Sequence, residues 1–141
     1  MLPAKSATLA VTEFPSVGEP RRGSGTILVV DDEQTVRIFA QQALEHNGYR
    51  VLLAENGEEA IEVLAAHPEV VAVLLDLTMP DISGDEVARH LRSIRPSLPI
   101  LLSSGYSETE ARERFGAAEV TSFLEKPYRA VTLLEKLSAL G

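Results

Sequence analysis

The sequence TILVVDD, residues 26–32, begins with a run of apolar and β-branched residues and ends in two adjacent acidic residues. An apolar run of this length predicts a buried β-strand, because β-branched side chains suit the pleated surface of a sheet. The acidic pair Asp31-Asp32 follows directly at the carboxyl end of that strand. The stretch therefore predicts one element of a sheet and a charged group at the edge of that sheet.

Four more apolar runs follow, each separated from the last by an amphipathic stretch. Strands that alternate with helices are typical of a parallel sheet covered on both faces. With right-handed crossovers, the pattern predicts an α/β fold with a doubly wound, five-stranded parallel sheet of order 2-1-3-4-5 and five helices. Ligands of such sheets bind at the carboxyl ends of the strands. The predicted strands cover residues 26–30, 50–54, 70–75, 99–103 and 121–124.

Three of the predicted helices begin with a polar residue that is followed three positions later by a glutamate, which is the spacing of a capping box. The fifth helix, predicted from about Arg129 to Leu140, is expected to bury Val131, Leu134 and Leu137. The three capping pairs are Asn56 and Glu59, Ser83 and Glu86, and Ser107 and Glu110.

Composition limits the classes of function. The 141 residues carry a formal charge of −8 and no cysteine, and no apolar run is long enough to cross a membrane. Residues 1–25 carry a net charge of +1 and hold three prolines and three glycines, so we predict a flexible linker or tail there. Residues 26–141 then carry −9, which argues against nucleic-acid binding. We expect one soluble, cytoplasmic domain without membrane contact.

Polar residues follow four of the predicted strands, at the edge where ligands are expected. Asp31-Asp32 ends the first strand, Asp76 the third, Ser103-Ser104 the fourth and Glu125-Lys126-Pro127 the fifth. Three carboxylates brought together repel one another unless they are protonated or bound to a cation, and Mg²⁺ prefers oxygen ligands. A lysine and a hydroxyl group beside them suit a phosphoryl group. The strand ends therefore predict a site for Mg²⁺ and a phosphoryl group.

From Thr26 to Gly141 the chain resembles the receiver domain of two-component response regulators. The matching stretches lie in the family's order along the whole domain: residues 27–33 (ILVVDDE), residues 76–81 (DLTMPD) with Gly84 after them, residues 103–105 (SSG), and Lys126-Pro127.

The resemblance implies that Asp32 and Asp76 contact Mg²⁺ directly and that Asp31 supports the ion partly through water. The backbone carbonyl of Thr78 would be the remaining protein ligand. The implied partner is a histidine kinase or a histidine phosphotransfer protein, whose phosphohistidine supplies the phosphoryl group. The domain itself would act as a monomer or weak dimer.

The resemblance also implies roles in the transfer. Asp76 would be the phosphoacceptor, and Lys126 would stabilise charge on the phosphoryl group. The hydroxyl of Ser104 would bond a phosphoryl oxygen, and Phe123 would be the aromatic switch that turns inward when that hydroxyl moves. Any catalysis would be limited to the domain's own phosphorylation and dephosphorylation.

Two other functions are alternatives, a flavin-binding electron carrier of the same sheet order and a phosphatase with an aspartate nucleophile. A flavin-binding electron carrier needs a phosphate loop after the first strand and aromatic rings to stack on the flavin, whereas this chain has acidic residues there and 5% aromatic residues. A phosphatase with an aspartate nucleophile needs an Asp-x-Asp arrangement, which residues 31–35 lack. The stretch Leu2-Pro3-Ala4 before the linker resembles the junction in hybrid histidine kinases. The chain is thus expected to be either a fragment of such a kinase or a free-standing regulator.

Overall fold

The computed structural model describes residues 25–79, 81–115 and 121–140, and within them five strands alternate with five helices. The predicted linker lies outside the described residues except for Gly25. The strands are β1 (Thr26–Val30), β2 (Arg50–Ala54), β3 (Val70–Asp76), β4 (Ile100–Ser104) and β5 (Ser122–Glu125). The helices are α1 (Gln34–His46), α2 (Gly57–Ala66), α3 (Gly84–Ile94), α4 (Glu108–Phe115) and α5 (Ala130–Leu140).

The strands form one parallel sheet in the order β2-β1-β3-β4-β5, which confirms the predicted topology 2-1-3-4-5. The order reverses between β1 and β3, where Val30 pairs with Leu75 at the carboxyl ends of the two strands. On the other side of β3, Asp76 pairs with Ser103 of β4. Because all strands run in one direction, their carboxyl ends lie along one edge of the sheet.

The sheet is covered on both faces, as a doubly wound fold requires. Alternate strand residues point to opposite faces, so neighbouring residues such as Leu28 and Val29 belong to separate hydrophobic cores. One core contains buried residues of α2, α3 and α4, among them Leu64 and Leu91. The other contains buried residues of α1 and α5, such as Leu44. Among the described residues, no helix is long and apolar enough to span a membrane.

Helices α2, α3 and α4 begin directly after Asn56, Ser83 and Ser107, as predicted, but the predicted side-chain cap forms only at α2 and α4. Asn56 Oδ1 accepts a 2.8 Å hydrogen bond from the backbone N–H of Glu59, and Ser107 Oγ accepts one of 3.2 Å from that of Glu110. Ser83 makes no side-chain cap: its hydroxyl donates to Asp85 Oδ1 at 2.6 Å, and the N–H of Glu86 donates to the Ser83 carbonyl at 3.1 Å. Helix α3 therefore begins without the predicted capping box.

The buried face of α5 also differs from the prediction. Val131 is 50% exposed, whereas Leu133 and Leu137 are buried. Val131 and Leu133 are two residues apart, about 200° around a helix, so they cannot both face the sheet. The packed face is the one with Leu133 and Leu137, one turn apart, and Leu134 packs at its margin. Strands β4 and β5 begin and end one residue later than predicted.

Candidate functional site

Three backbone hydrogen bonds extend the sheet past its strand ends and so fix the residues of the site. The N–H of Asp31 donates to the carbonyl of Ala54 at 3.2 Å, beside the end of β1. The N–H of Leu77 donates to Ser103 at 2.8 Å, and that of Lys126 donates to Ser104 at 2.7 Å. The polar side chains at this edge are thus carried by strand-like backbone rather than by free loops.

Asp31, Asp32 and Asp76 form an acidic cluster at this edge. Each offers a carboxylate oxygen, and these oxygens lie within 4.8 Å of one another. Asp31 and Asp76 are buried, with 2% and 3% of their surface exposed, whereas Asp32 is exposed. The predicted convergence of the carboxylates from β1 and β3 is therefore observed.

Lys126 joins the two buried members of the acidic cluster. Its Nζ lies 3.0 Å from Asp31 Oδ2 and 3.1 Å from Asp76 Oδ1. Burial alone would lower the pKa of Lys126, but these two ion pairs raise that pKa above its ordinary value. One ammonium group thus offsets part of the charge of three carboxylates and stays protonated at neutral pH.

Ionisation of Asp76 is costly in the metal-free protein. Burial and, next, the negative charge of Asp31 raise the pKa of Asp76 to about 6, although Lys126 acts in the opposite direction. The metal-free carboxylate is therefore destabilising when ionised, because the cluster holds more negative charge than Lys126 can balance. A bound cation would remove that imbalance.

We expect Asp76→Asn to stabilise the metal-free protein. Between about pH 4 and 6 the native state keeps a proton on Asp76 that the unfolded state has lost, so wild-type stability falls as pH rises through this window. Asparagine does not ionise, so the variant does not lose stability as pH rises through this window. Its free energy of unfolding should exceed that of wild type by about 2–3 kcal/mol at pH 7.5, and the gain should vanish below about pH 4. Urea unfolding in EDTA at both pH values measures the difference.

Asp32→Asn is the matched control for that measurement, since it removes one exposed carboxylate from the same cluster. Its gain at pH 7.5 should be less than half that of Asp76→Asn. An equal gain in both variants, or no pH dependence of the Asp76→Asn gain, would contradict burial of the Asp76 charge as the cause.

The remaining predicted residues lie around the cluster. Ser104 is buried at the end of β4, and its hydroxyl is engaged by the backbone of Tyr106: Oγ accepts from the N–H at 3.2 Å and lies 3.3 Å from the carbonyl. Phe123 is 1% exposed in β5, and the guanidinium of Arg112 lies over its ring at 5.0 Å. Thr78 lies two residues beyond β3, with its side chain exposed. Their roles stay predictions.

A close backbone approach shapes the turn that carries Thr78. The N–H of Gly84 donates to the carbonyl of Leu77 at 2.6 Å, which closes the loop between β3 and α3. A Cβ atom on Gly84 would lie 2.6 Å from the carbonyl oxygen of Asp76 and from the Cα of Leu77. Only glycine fits against backbone at this distance, which explains the residue's place in the motif.

Sequence reasoning gave no role to three residues that contact the site or lie beside it. Glu33 Oε1 lies 3.7 Å from Lys126 Nζ, and its N–H donates to Asp31 Oδ1 at 2.9 Å. Arg37 donates to the backbone carbonyl of Asp31 at 2.7 Å. Burial and then the charge of Asp31 raise the pKa of Tyr128 above its ordinary value. Glu33 belongs to the matched stretch 27–33, whereas the only signal for Arg37 and Tyr128 was their short distance in sequence from Asp31 or Lys126.

The donor set of the acidic cluster fits Mg²⁺. Carboxylate oxygens from two adjacent strands converge, and one of them, on exposed Asp32, is open to solvent, which suits an ion that keeps several waters. Both oxygens of Asp31 are already engaged, one by Glu33 N–H and the other by Lys126. The expected division of roles, in which Asp32 and Asp76 bind the ion directly and Asp31 supports it partly through water, stays a prediction.

Comparison with known sequences agrees with this site. The family model described as the response regulator receiver domain matches residues 27–138. The response regulator MprA of Mycolicibacterium vanbaalenii is 40% identical over 115 residues, which is 81% of this chain and 49% of that protein. MprA of Mycobacterium avium is 39% identical over the same length. The chain thus spans about half the length of the curated relatives it matches.

Solved structures agree as well. The chemotaxis protein CheY4 of Vibrio cholerae superposes with a TM-score of 0.78 and 27% identity, over 84% of this chain and all of that one. The response regulator TrrA of Thermotoga maritima, solved in complex with Mg²⁺ and BeF, superposes with a TM-score of 0.75 and 34% identity, over 82% of this chain and 98% of that one. These matches do not support the flavin-carrier alternative.

Proposed function

Because the chain belongs to the response regulator receiver family of two-component systems, in which the domain accepts a phosphoryl group, we propose that Asp76 is the residue that accepts it, in a reaction that depends on Mg²⁺. The observation that carries the proposal is the position of Lys126, whose ammonium group bridges Asp31 and Asp76 inside a cluster of three carboxylates. A metal site alone needs no such cation. A phosphoryl group, which brings its own negative charge, does.

The reaction is a displacement at phosphorus. A carboxylate oxygen of Asp76 attacks the phosphorus atom, the bond from phosphorus to the donor's imidazole nitrogen breaks, and the electron pair of that bond leaves with the imidazole. The product is an acyl phosphate on Asp76. Lys126, already 3.1 Å from Asp76 Oδ1, stabilises the charge that develops on the phosphoryl oxygens.

The part of the metal in this scheme is electrostatic. When bound, Mg²⁺ supplies charge neutralisation between the carboxylates and the phosphoryl oxygens. Asp32, Asp76 and the backbone carbonyl of Thr78 would hold it, and Asp31 would support it partly through water. Without a cation, burial and, next, the charge of Asp31 oppose ionisation of the Asp76 carboxyl and raise its pKa, whereas Lys126 favours its ionisation.

Ser104 and Phe123 are proposed to relay the phosphorylated state. Ser104 would exchange its hydrogen bonds with the Tyr106 backbone for one to a phosphoryl oxygen. Space beside Phe123 would change with that movement, since both side chains are buried on neighbouring strands that pair at Ser104 and Glu125. The stacked Arg112 on α4 would sense the change.

The proposed donor is a histidine kinase or a histidine phosphotransfer protein. A groove of about 440 Å³ lies next to the acidic cluster and shares Glu33 and Lys126 with its border. Its other walls include Val36, Phe39 and Tyr128, so it is largely apolar, and Phe39 is 42% exposed. Because this groove adjoins the acidic cluster, it is the proposed binding site for the surface of the donor protein around its phosphorylated histidine. The predicted origin in a hybrid kinase stays a prediction.

Incubation with acetyl phosphate and Mg²⁺, followed by intact-mass measurement, tests the proposal. The chain should gain the mass of one phosphoryl group, and hydroxylamine should remove it, because hydroxylamine cleaves acyl phosphates and leaves phosphoserine intact. The same incubation in EDTA should give no gain. A gain that is independent of Mg²⁺ or resistant to hydroxylamine, or no gain under any condition, would overturn the proposal.

A further inference from the structure

The β3–α3 loop, residues 77–83, carries Thr78, whose carbonyl is proposed above as a metal ligand. Its base is fixed by two bonds of Leu77, whose N–H donates to Ser103 and whose carbonyl accepts from Gly84. Met79 is buried at the edge of the core. The far side of the loop is held by a contact that the phosphotransfer chemistry does not use.

That contact is made by Asp81. One oxygen of its carboxylate accepts a hydrogen bond from the N–H of Gly57 at 3.2 Å, and the other accepts one from the N–H of Glu58 at 3.1 Å. These two donors belong to the first turn of α2, where N–H groups have no partner within the helix. Burial opposes ionisation of Asp81, but bonds from backbone N–H groups hold the pKa of its carboxyl below the ordinary value. The carboxylate therefore remains charged at the N-terminus of α2.

Helix α2 already has a local cap. Asn56 accepts from the N–H of Glu59 at 2.8 Å, and the Glu59 carboxylate accepts in return from the N–H of Glu55 at 2.8 Å. This reciprocal pair supplies the usual start signal of a helix. The bonds from Asp81 come from a segment more than 20 positions away. Their distinct effect is to join the loop to the helix.

The surfaces at this joint fit closely. A Cβ atom on Gly57 would lie 2.6 Å from a methyl carbon of Val87 on α3 and 2.9 Å from a side-chain carbon of Ile82 in the loop. The backbone of α2 at Gly57 is thus packed directly against the loop and the helix that follows it. Asp81 bonds to α2 at this same residue.

We infer that Asp81 is a positioning residue, which clamps the β3–α3 loop to the N-terminus of α2 and so holds the Thr78 carbonyl where the Mg²⁺ site needs it. Without the clamp, the bonds of Leu77 and Gly84 and the burial of Met79 are the anchors left among the described residues of the loop, so the segment that carries Thr78 is held less firmly. A ligand that moves before it binds lowers affinity for the ion. This inference rests on the proposed function for its metal, but the clamp itself exists without metal.

The test compares Asp81→Ala with Asn56→Ala, which removes the local cap of the same helix and leaves the loop bonds intact. Asp81→Ala should raise the dissociation constant for Mg²⁺, measured by calorimetry with the metal alone, about tenfold, in the range found for residues that support metal ligands. Hydrogen exchange of the Gly84 amide in EDTA should become about tenfold faster, since its bond to Leu77 closes the loop. Asn56→Ala should change the Mg²⁺ dissociation constant and the Gly84 exchange rate less than about twofold. It should lower the urea midpoint of unfolding about as much as Asp81→Ala does.

Asp81→Asn keeps one carbonyl acceptor and should give intermediate values, and it replaces the alanine variant in every comparison if that variant does not fold. Equal effects of the substitutions at positions 81 and 56 would reduce Asp81 to a helix cap and overturn the inference. Unchanged Mg²⁺ affinity and unchanged Gly84 exchange in Asp81→Ala would do the same. If wild type binds no Mg²⁺, the proposed function fails, and the exchange comparison still decides whether Asp81 clamps the loop.

Discussion

Asp76→Asn is expected to take up no phosphoryl group from acetyl phosphate and Mg²⁺ under conditions in which wild type is fully modified. An amide has no negative charge and its oxygen is a poor nucleophile, so the displacement at phosphorus has no attacking group. The neighbouring amine and hydroxyl cannot replace it, because Lys126 is held protonated by its ion pairs and Ser104 is engaged by the Tyr106 backbone. Intact mass after a long incubation measures the loss.

Asp32→Asn provides the control, because it alters the same acidic cluster and keeps the nucleophile. It should still gain one phosphoryl group, but the Mg²⁺ concentration that gives half the maximal rate should rise about tenfold or more, as expected when a metal site is weakened. A hydroxylamine-sensitive gain in Asp76→Asn would mean that another carboxylate is the acceptor. Complete loss of the phosphoryl gain in Asp32→Asn at saturating Mg²⁺ would mean that Asp76 is the wrong aspartate for the role of nucleophile.

The fold could be predicted from sequence because its determinants are local. The five apolar runs each match a strand within one residue at either end, since a buried strand needs an unbroken run of apolar side chains. The rule that binding sites lie at the carboxyl ends of parallel strands then brought Asp31, Asp76 and Lys126 together without coordinates. The distances from Lys126 Nζ, 3.0 Å to Asp31 Oδ2 and 3.1 Å to Asp76 Oδ1, confirm that these side chains converge.

The wrong predictions concern choices made by tertiary contacts. Ser83 had the right spacing for a cap, but its hydroxyl bonds Asp85 two residues away, which spacing alone cannot foresee. Val131 lies on the exposed side of α5 because the helix packs through Leu133 and Leu137. Helical periodicity alone allows either the face with Val131 or the face with Leu133 to be buried. Asp81 belongs to the matched stretch 76–81, but its bonds to α2 were not predicted, since its partners precede it by more than 20 positions.

Lys126→Met is expected to have opposite effects on metal binding and on phosphoryl transfer. Methionine keeps an unbranched apolar stem and removes the charge. In the metal-free protein the ammonium group bridges Asp31 and Asp76, so it competes with any cation for those oxygens. Its removal should leave Mg²⁺ affinity unchanged or increase it severalfold. Calorimetric titration with Mg²⁺ measures this effect.

The phosphorylation rate of the same variant should fall about 100-fold, the size of effect found when one group that stabilises transition-state charge is removed. Lys136→Met is the matched control: Lys136 pairs with Glu108 of α4 at 3.0 Å, away from the acidic cluster, and its loss should change both quantities less than about twofold. A parallel fall in Mg²⁺ affinity and rate in Lys126→Met would make the lysine a structural support of the metal site. Slow phosphoryl transfer with equal or tighter Mg²⁺ binding would distinguish a phosphoryl-acceptor site from a simple magnesium site. Only a phosphoryl-acceptor site needs a second positive charge, that of the lysine, in addition to the metal ion.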